Sequence, residues 1–349
     1  MKIKTLIVDD SAVIRTLYAK ILASDPEIDV VGVAADPFEA RELLIRLRPD
    51  VMTLDIEMPR MDGLTFLEKV MAHLPVRTLV ISSFAGAGAS QLLRAYEIGA
   101  VDVIPKPSMQ GSQSFGELSN ELISRVKAVA RANIPNHNVL MSNAKMAIEK
   151  RKNNFVGDRI MAIAASTGGT EALKVILAGM PEDIPGTVIV QHMPAVFTKT
   201  YAATLQRMFS FEIKEAEDGD CVQEGRVLLA PGNFHMTMAK SGNKFHISLN
   251  QDSPVHGVRP SADILFNSVA KVAGPQSIGL ILTGMGSDGA RGLLEMKKAG
   301  SFNIAQDEQT SVVFGMPKEA IELQTVHAIL PIDKIAAAVL FHLKKQQAS

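Results

Sequence analysis

The chain has 349 residues, of which 47% are hydrophobic and 21% charged, and its formal net charge is −1. This composition excludes a disordered chain, and the lack of a basic excess argues against nucleic-acid binding. The length suits two domains, each with its own core. A single cysteine, no apolar run near the roughly 20 residues that cross a bilayer, and acids at the start where a signal peptide stays apolar indicate a cytoplasmic protein without direct membrane insertion.

The first half of the sequence alternates short apolar runs with amphipathic stretches. The apolar runs predict strands at KTLIVDD, IDVVGVA, DVMTLDI, RTLVISS and AVDVIPK. Helical spacing predicts helices at SAVIRTLYAKILA, DPFEARELLIRL, LTFLEKVMAHL, GASQLLRAYEIG and FGELSNELISRVKAVARA. This alternation is typical of a parallel sheet covered by helices, whose functional groups gather at the carboxyl ends of the strands.

Polar residues stand where four of these predicted strands end: Asp9, Asp10, Asp55, Ser82 and Lys106. Carboxylates crowded at one sheet edge repel each other, and a hard cation such as Mg²⁺ relieves that repulsion. A cation, a lysine and a hydroxyl can hold a phosphoryl group while a carboxylate attacks phosphorus. The alternative for Asp9 and Asp10 is a pair of solvated acids beside a helix capped by Ser11, but the other residues make it weaker.

Residues 1–125 resemble the receiver domain of two-component response regulators in LIVDDSAVIR, TLDIEMPRMDGL, VISS and VIPKP. The resemblance implies a flavodoxin-like fold in which Asp55 is the phosphoacceptor. It further implies that Mg²⁺ binds to Asp10, Asp55 and the Glu57 carbonyl, with Asp9 contributing through water, and that Ser82 and Lys106 contact the phosphoryl group. One position departs from the family: the residue three before Lys106, often aromatic there, is Val103.

Residues 126–157 are predicted to form a linker, because strand alternation and apolar stripes fade in IPNHNVLMSNAKMAIEKRKNN. One helical turn is expected around SNAKMAIEK. The basic cluster at 150–152 fits either a solvated hinge or a partner patch, and the hinge is the simpler interpretation.

The second half, residues 158–345, again predicts a doubly wound α/β domain. Strands are expected at RIMAIAAS, GTVIVQHM, RVLLAPG, FHISLN and SIGLILTGMG, and helices at TEALKVILAGM, FTKTYAATLQRMF, SADILFNSVAKVA and GARGLLEMKKAG. No long internal repeat is present in the sequence.

Three polar residues each follow a strongly apolar predicted strand: Ser166, His192 and Asp288. They are the three groups of a nucleophilic hydrolase, and the small residues after Ser166 permit a sharp turn that exposes its hydroxyl. Ala164 replaces the first glycine of the G-x-S-x-G pattern, so the match to that elbow is partial. The structural alternatives are Ser166 as a helix cap beside a phosphate-binding Gly-Gly, and Asp288 as the cap of the helix that follows it.

The choice of base rests on position among 8 histidines. His192 follows its strand at the sheet end expected for Ser166, whereas His235 and His256 lie in predicted loops and are the alternatives. Four others lie on predicted helices, linker or tail, where a surface role is expected: His73, His137, His327 and His342.

Residues 158–345 resemble the effector domain of bacterial chemotaxis protein-glutamate methylesterases in ASTGGTEAL, QHMP, LLAPGNFHM, RPSADILFNSVA, ILTGMGSDGARG and VVFGMPKEAI. The resemblance implies Ser166 as nucleophile, His192 as base and Asp288 as the acid that orients it, with backbone amides near Thr167 and Met285 as oxyanion donors. It also implies no cofactor for ester hydrolysis.

Together the two resemblances imply a phosphorylation-activated esterase that acts on glutamate γ-methyl esters of methyl-accepting chemotaxis receptors and deamidates their glutamines. They imply a chemotaxis histidine kinase as phosphodonor and a receiver that obstructs the active-site face at rest. Two other classes stay open on the sequence: a receiver-controlled hydrolase of a different ester or amide, and a binding scaffold whose effector has lost catalysis.

Overall fold

The computed structural model describes residues 1–83, 88–106, 115–133 and 159–347. The chain divides into two compact units, Met1–Ile134 and Pro135–Ser349. The helical turn expected around SNAKMAIEK lies outside the described residues. Throughout the described ranges, every helix is too short or too polar to span a bilayer.

The first unit alternates strands and helices as predicted. Its elements are β1 Ile3–Val8, α1 Ala12–Ala23, β2 Ile28–Ala34, α2 Pro37–Leu47, β3 Val51–Leu54, α3 Gly63–His73, β4 Arg77–Ser82, α4 Ala89–Ile98, β5 Asp102–Pro105 and α5 Phe115–Ala130. The five strands pair in parallel in the order β2-β1-β3-β4-β5. This order is the flavodoxin-like arrangement expected from the sequence. Helix α5 continues to Ala130, past residue 125 where the receiver was expected to end.

The second unit is built on a seven-stranded parallel sheet with helices between its strands. Its elements are β6 Ile160–Ala165, α6 Gly169–Ala178, β7 Gly186–Gln191, α7 Ala195–Gln206, β8 Glu212–Glu215, β9 Cys221–Val222, β10 Arg226–Leu229, β11 His235–Ser241, β12 Lys244–Asn250, α8 Ala262–Val272, β13 Ser277–Ile281, α9 Ala290–Lys298, β14 Phe302–Gln306, α10 Met316–Glu322, β15 Ala328–Leu330 and α11 Ile332–Gln347. The order is β15-β14-β13-β6-β7-β10-β8, so β6 lies between β13 and β7.

Several elements of the second unit were not predicted from the sequence. These are the strands β8, β9, β11, β14 and β15 and the helices α10 and α11. A small antiparallel sheet, β11-β12-β9, stands beside the parallel one, and its strand β12 confirms the strand predicted at FHISLN. In β11 the buried Met236 and Met238 alternate with more exposed residues, which is the period of a half-buried strand. His235 therefore begins a strand, and the expectation of a loop at that position was wrong.

The strand order decides where the functional residues meet. The strands β6, β7 and β13 are neighbours and are fully buried along their lengths. Parallel strands end at the same sheet edge, and Ser166 follows β6, His192 follows β7 and Asp288 lies in the loop after β13. All three residues consequently reach one edge of the sheet.

Candidate active site

Ser166 stands at a tight turn between β6 and α6. Its backbone N–H donates to the Thr283 carbonyl at 3.0 Å, and its own carbonyl accepts from the Gly169 N–H at 2.7 Å. Helix α6 is capped by Gly168 without any side-chain hydrogen bond. The Ser166 hydroxyl therefore does not cap the helix, and the structural alternative for this residue does not hold in the structure.

The two glycines after Ser166 are required by space and conformation. Gly168 has φ +78°, and a Cβ there would lie 2.5 Å from the Val312 Cβ. A Cβ on Gly169 would lie 2.2 Å from the side-chain oxygen of Gln191. Only glycine fits at both positions without displacing its neighbours, so the Gly-Gly pair lets the chain turn directly after Ser166.

His192 is held by one hydrogen bond of its backbone and one of its ring. Its N–H donates to the Ala165 carbonyl at 3.0 Å, which ties the residue to the strand that carries Ser166. Its Nε2 lies 2.8 Å from Oδ2 of Asp288, and both side chains are nearly buried. Because Nε2 is bonded to Asp288, Nδ1 is the ring nitrogen that can accept the proton of Ser166. The structure has no hydrogen bond between the Ser166 hydroxyl and the imidazole.

Asp288 accepts four hydrogen bonds. Besides His192, the donors are the Ser261 hydroxyl at 2.7 Å, the Ala262 N–H at 2.6 Å and the Asp263 N–H at 3.1 Å. The carboxylate thus sits at the N-terminus of α8, where backbone N–H groups and the helix dipole favour a negative charge. Its own helix, α9, is capped by Gly289 without a side-chain bond, so the alternative role as a local cap is wrong.

The surroundings keep the Asp288 carboxylate ionised. Burial by itself raises the pKa of this carboxyl, but the hydrogen bond from His192, the His192 charge, and the bonds from Ser261 and Ala262 outweigh it. The net pKa lies below the ordinary value. An ionised carboxylate against Nε2 holds the proton on that nitrogen and stabilises the imidazolium formed when the ring accepts a second proton.

The two alternative histidines have other partners. His235 is buried, with Nδ1 accepting from the Ser261 N–H at 3.1 Å and Nε2 lying 3.2 Å from the Ser253 carbonyl. His256 lies at the tip of a turn with φ +53°, and its Nε2 is 2.9 Å from the Asp263 carboxylate. Neither ring contacts Asp288 through a hydrogen bond, so His192 is the histidine that the structure pairs with the predicted acid.

Sequence reasoning missed the groups that hold this site in place. Thr283 accepts from Ser166 through its carbonyl, Ser261 and Ala262 bind Asp288, and Gln191 bonds to the carbonyls of both Ser166 and His192. The only signals in the sequence were indirect: Ser261 stands before a predicted helix and Gln191 precedes His192. Neither signal indicates which distant residue the side chain contacts.

The receiver unit gathers its acids at the carboxyl edge of its own sheet. Carboxylate oxygens of Asp9, Asp10 and Asp55 all lie within 4.8 Å of one another. Lys106 Nζ lies 2.9 Å from Asp9 and 2.7 Å from Asp55. Three hard oxygen ligands at this spacing fit a Mg²⁺ ion, with Asp10 exposed and the other two acids buried.

Burial and ion pairing shift the pKa values of Asp55 and Lys106 at this acidic site. Burial raises the pKa of Asp55 to about 6, although the bond and charge of Lys106 act in the opposite direction. Burial lowers the pKa of Lys106, but its bonds to Asp55 and Asp9 outweigh burial and raise it. A bound cation would relieve the repulsion between the carboxylates at this site.

The other predicted receiver residues are Ser82, Glu57 and Val103. The Ser82 hydroxyl is fully buried and has no hydrogen-bond partner among the described residues, which leaves it able to bind an incoming oxygen. The Glu57 N–H donates to Asp55 at 3.2 Å, and its carboxylate accepts from Ser83 at 2.5 Å. Val103 is a buried residue of β5.

Comparison with known proteins finds a matching family for each of the two units. The family described as CheB methylesterase matches residues 161–339, and the response regulator receiver domain family matches residues 5–112. A protein-glutamate methylesterase/protein-glutamine glutaminase of Bdellovibrio bacteriovorus is 52% identical, covering 100% of this chain and 99% of the relative. A second relative of that name, from Pseudomonas aeruginosa, is 46% identical over 97% of each chain.

A solved structure agrees with the second unit. The crystal structure of the Thermotoga maritima CheB methylesterase catalytic domain superposes with a TM-score of 0.52 at 38% identity, covering 53% of this chain and 98% of that one. The matched families, the full-length relatives and this structure agree with one another. The chain belongs to the CheB methylesterase family, with a response regulator receiver domain before its catalytic domain.

Proposed function

We propose that this chain hydrolyses glutamate γ-methyl esters on methyl-accepting chemotaxis receptors and deamidates glutamines of the same receptors, under control of receiver phosphorylation. The observation that carries the proposal is the convergence of Ser166, His192 and Asp288 at one sheet edge, with His192 Nε2 bonded to Asp288 at 2.8 Å. Its relatives over the full chain length carry both activities in their names.

In the first half-reaction the Ser166 Oγ attacks the ester carbonyl carbon, and its proton passes to Nδ1 of His192. The negative charge then develops on the carbonyl oxygen, for which we propose the backbone N–H groups of Thr167 and Met285 as donors. The segment that carries Met285 is close enough to support this, since a Cβ on Gly284 would lie 2.7 Å from the Ser166 Cβ. His192 then gives the proton to the departing methoxide, and methanol leaves.

In the second half-reaction water attacks the acyl-enzyme. His192 takes a proton from the water, the acyl–Oγ bond breaks, and the proton returns to Ser166 as the receptor leaves with a free γ-carboxylate on its glutamate side chain. A glutamine side chain follows the same course except that ammonia leaves in place of methanol. The ionised Asp288 stabilises the imidazolium in each proton transfer.

In the receiver, Asp55 is proposed to attack phosphorus and become the phosphorylated residue. Asp9, Asp10, Asp55 and the Glu57 carbonyl would hold Mg²⁺, which when bound supplies charge neutralisation for the phosphoryl oxygens. Lys106 and Ser82 are proposed to bind the phosphoryl group, and a chemotaxis histidine kinase is the proposed phosphodonor. We propose a receiver over residues 1–125, whose last helix α5 continues to Ala130, a linker within residues 126–157 and a catalytic domain over residues 158–345, in a cytoplasmic protein.

The decisive experiment measures methanol release from methylated receptor protein. Ser166→Ala should lower turnover by roughly 10⁶-fold, the scale seen when a triad serine is removed. Ser241→Ala, at an exposed position of β11, is the matched control and should leave turnover unchanged. Binding of receptor without turnover by the wild-type chain would favour a scaffold, and turnover of other esters or amides alone would favour a different hydrolase.

A further inference from the structure

Gln191 is the last residue of β7 and its side chain is buried between two segments of the active site. Its Nε2 donates to the Ser166 carbonyl at 2.9 Å and to the His192 carbonyl at 3.2 Å. One amide group therefore binds the backbone of the nucleophile and the backbone of the base. This contact adds to the strand pairing, which joins Ala165 to Gln191 and ends at these residues.

The side-chain oxygen of Gln191 reduces the stability that its amide contributes to the fold. Oε1 of Gln191 is buried and has no hydrogen-bond partner among the described residues. A buried acceptor without a partner is destabilising relative to an apolar side chain of the same shape. The glycine at 169 makes the room for this oxygen, since a Cβ there would lie 2.2 Å from it. The unpartnered oxygen therefore offsets part of the stability that the two donated bonds contribute.

We propose that Gln191 is a positioning residue, which fixes the Ser166 turn relative to His192 through its two carbonyl bonds, a role that rests on the proposed function of those two residues. The Ser166 hydroxyl and His192 Nδ1 have no hydrogen bond between them in the structure, so their separation depends on the backbones that carry them. A small change in that separation slows chemistry far more than it weakens substrate binding.

The chain contains a matched control for this amide. Asn303 in β14 is also buried, its Nδ2 donates to the carbonyls of Leu293 and Thr325 at 2.8 and 3.0 Å, and its Oδ1 has no partner in the described residues. A Cβ on Gly279 would lie 2.7 Å from that oxygen. Asn303 lies near the amino end of its strand, whereas the site residues follow carboxyl ends.

The experiment compares Gln191→Met with Asn303→Leu in the full-length chain. Each variant removes one buried amide and its two donated bonds while keeping a similar shape. We expect Gln191→Met to lower kcat for methylated receptor by roughly 10- to 100-fold with KM within about twofold of wild type. Asn303→Leu should change urea unfolding to a comparable extent and keep kcat within about twofold. Equal effects of the two variants on kcat would overturn the positioning role.

A second measurement isolates the nucleophile. An alkyl fluorophosphonate is attacked at phosphorus by the Ser166 Oγ with loss of fluoride, and the labelling rate of folded protein should fall in Gln191→Met as kcat does. If the wild-type chain is not labelled at Ser166, the proposed function fails and this role fails with it. If wild type is labelled and Gln191→Met is labelled equally fast, only the role of Gln191 fails.

If Gln191→Met does not fold, Gln191→Glu is the variant that tests the positioning role. A buried carboxyl that keeps its proton has one O–H donor for two carbonyls, so the labelling rate and kcat of this variant should fall below those of wild type. Wild-type rates in this variant would overturn the proposal.

Discussion

Replacing Asp288 by asparagine tests how the catalytic pair is built. The amide has one oxygen, so only one of the two carboxylate positions can still accept from a backbone N–H. The Ala262 N–H lies 2.6 Å from Oδ2, and the Asp263 N–H lies 3.1 Å from Oδ1. We expect the amide oxygen to take the Oδ2 position, where the shorter bond is, and to keep accepting from His192 Nε2. The bond from Asp263 is lost.

The effect on catalysis comes mainly from the lost charge. At 2.8 Å between Nε2 and Oδ2 and an effective dielectric constant of about 20, the attraction between imidazolium and carboxylate is about 6 kcal/mol. The retained hydrogen bond offsets part of this, which leaves about 4–5 kcal/mol, or roughly 10³- to 10⁴-fold in kcat. The loss of one hydrogen bond to a charged group costs about 1.5–3 kcal/mol of unfolding free energy.

The assay combines methanol release from methylated receptor with urea unfolding. Asp218→Asn is the control, because this exposed aspartate also accepts a backbone N–H, from Leu249 at 2.9 Å. It should keep wild-type turnover. A folded Asp288→Asn protein whose kcat stays within tenfold of wild type would refute the role of the ionised pair in the proton transfers.

Three further predictions address the switch and the stability of the fold. Asp55→Asn should keep basal hydrolysis and abolish stimulation by a small phosphodonor with Mg²⁺; persistent stimulation would reveal another acceptor. A fragment that begins near Asn154 should hydrolyse methylated receptor faster than the unphosphorylated full chain, and equal or lower activity would contradict obstruction by the receiver. Burial, then the charges of Arg159, His327 and Lys345, lowers the pKa of His342, which stacks on Phe302 with ring centroids 4.1 Å apart. The neutral ring is favoured in the folded state, so its contribution to stability is present above its ordinary pKa of 6.5 and is lost as the pH falls below that value. The melting temperature should therefore drop less on acidification in His342→Gln than in wild type, whereas the exposed control His73→Gln should behave like wild type.

His342 also shows where composition and pattern misled the sequence analysis. It lies on the C-terminal helix α11, and the sequence predicted a surface role for it. The structure packs its ring against Phe302 of β14, and its Nε2 is buried without a partner among the described residues. Phe302 and His342 are distant in the chain, so the contact between β14 and α11 could not be predicted from either segment alone.

The sequence by itself determined the two α/β domains, the acids and lysine of the receiver, and the identities of Ser166, His192 and Asp288. It could do so because hydrophobic periodicity is local, and because polar residues directly after apolar strands must reach the same edge of a parallel sheet. Only the tertiary structure decided which strands are neighbours, and therefore that β13, β6 and β7 bring these three residues together. It also decided that Asp288 binds the N-terminus of α8 and not its own helix, and that Gln191 joins the nucleophile to the base. These contacts depend on pairings between residues far apart in the chain, which no local pattern of side chains encodes.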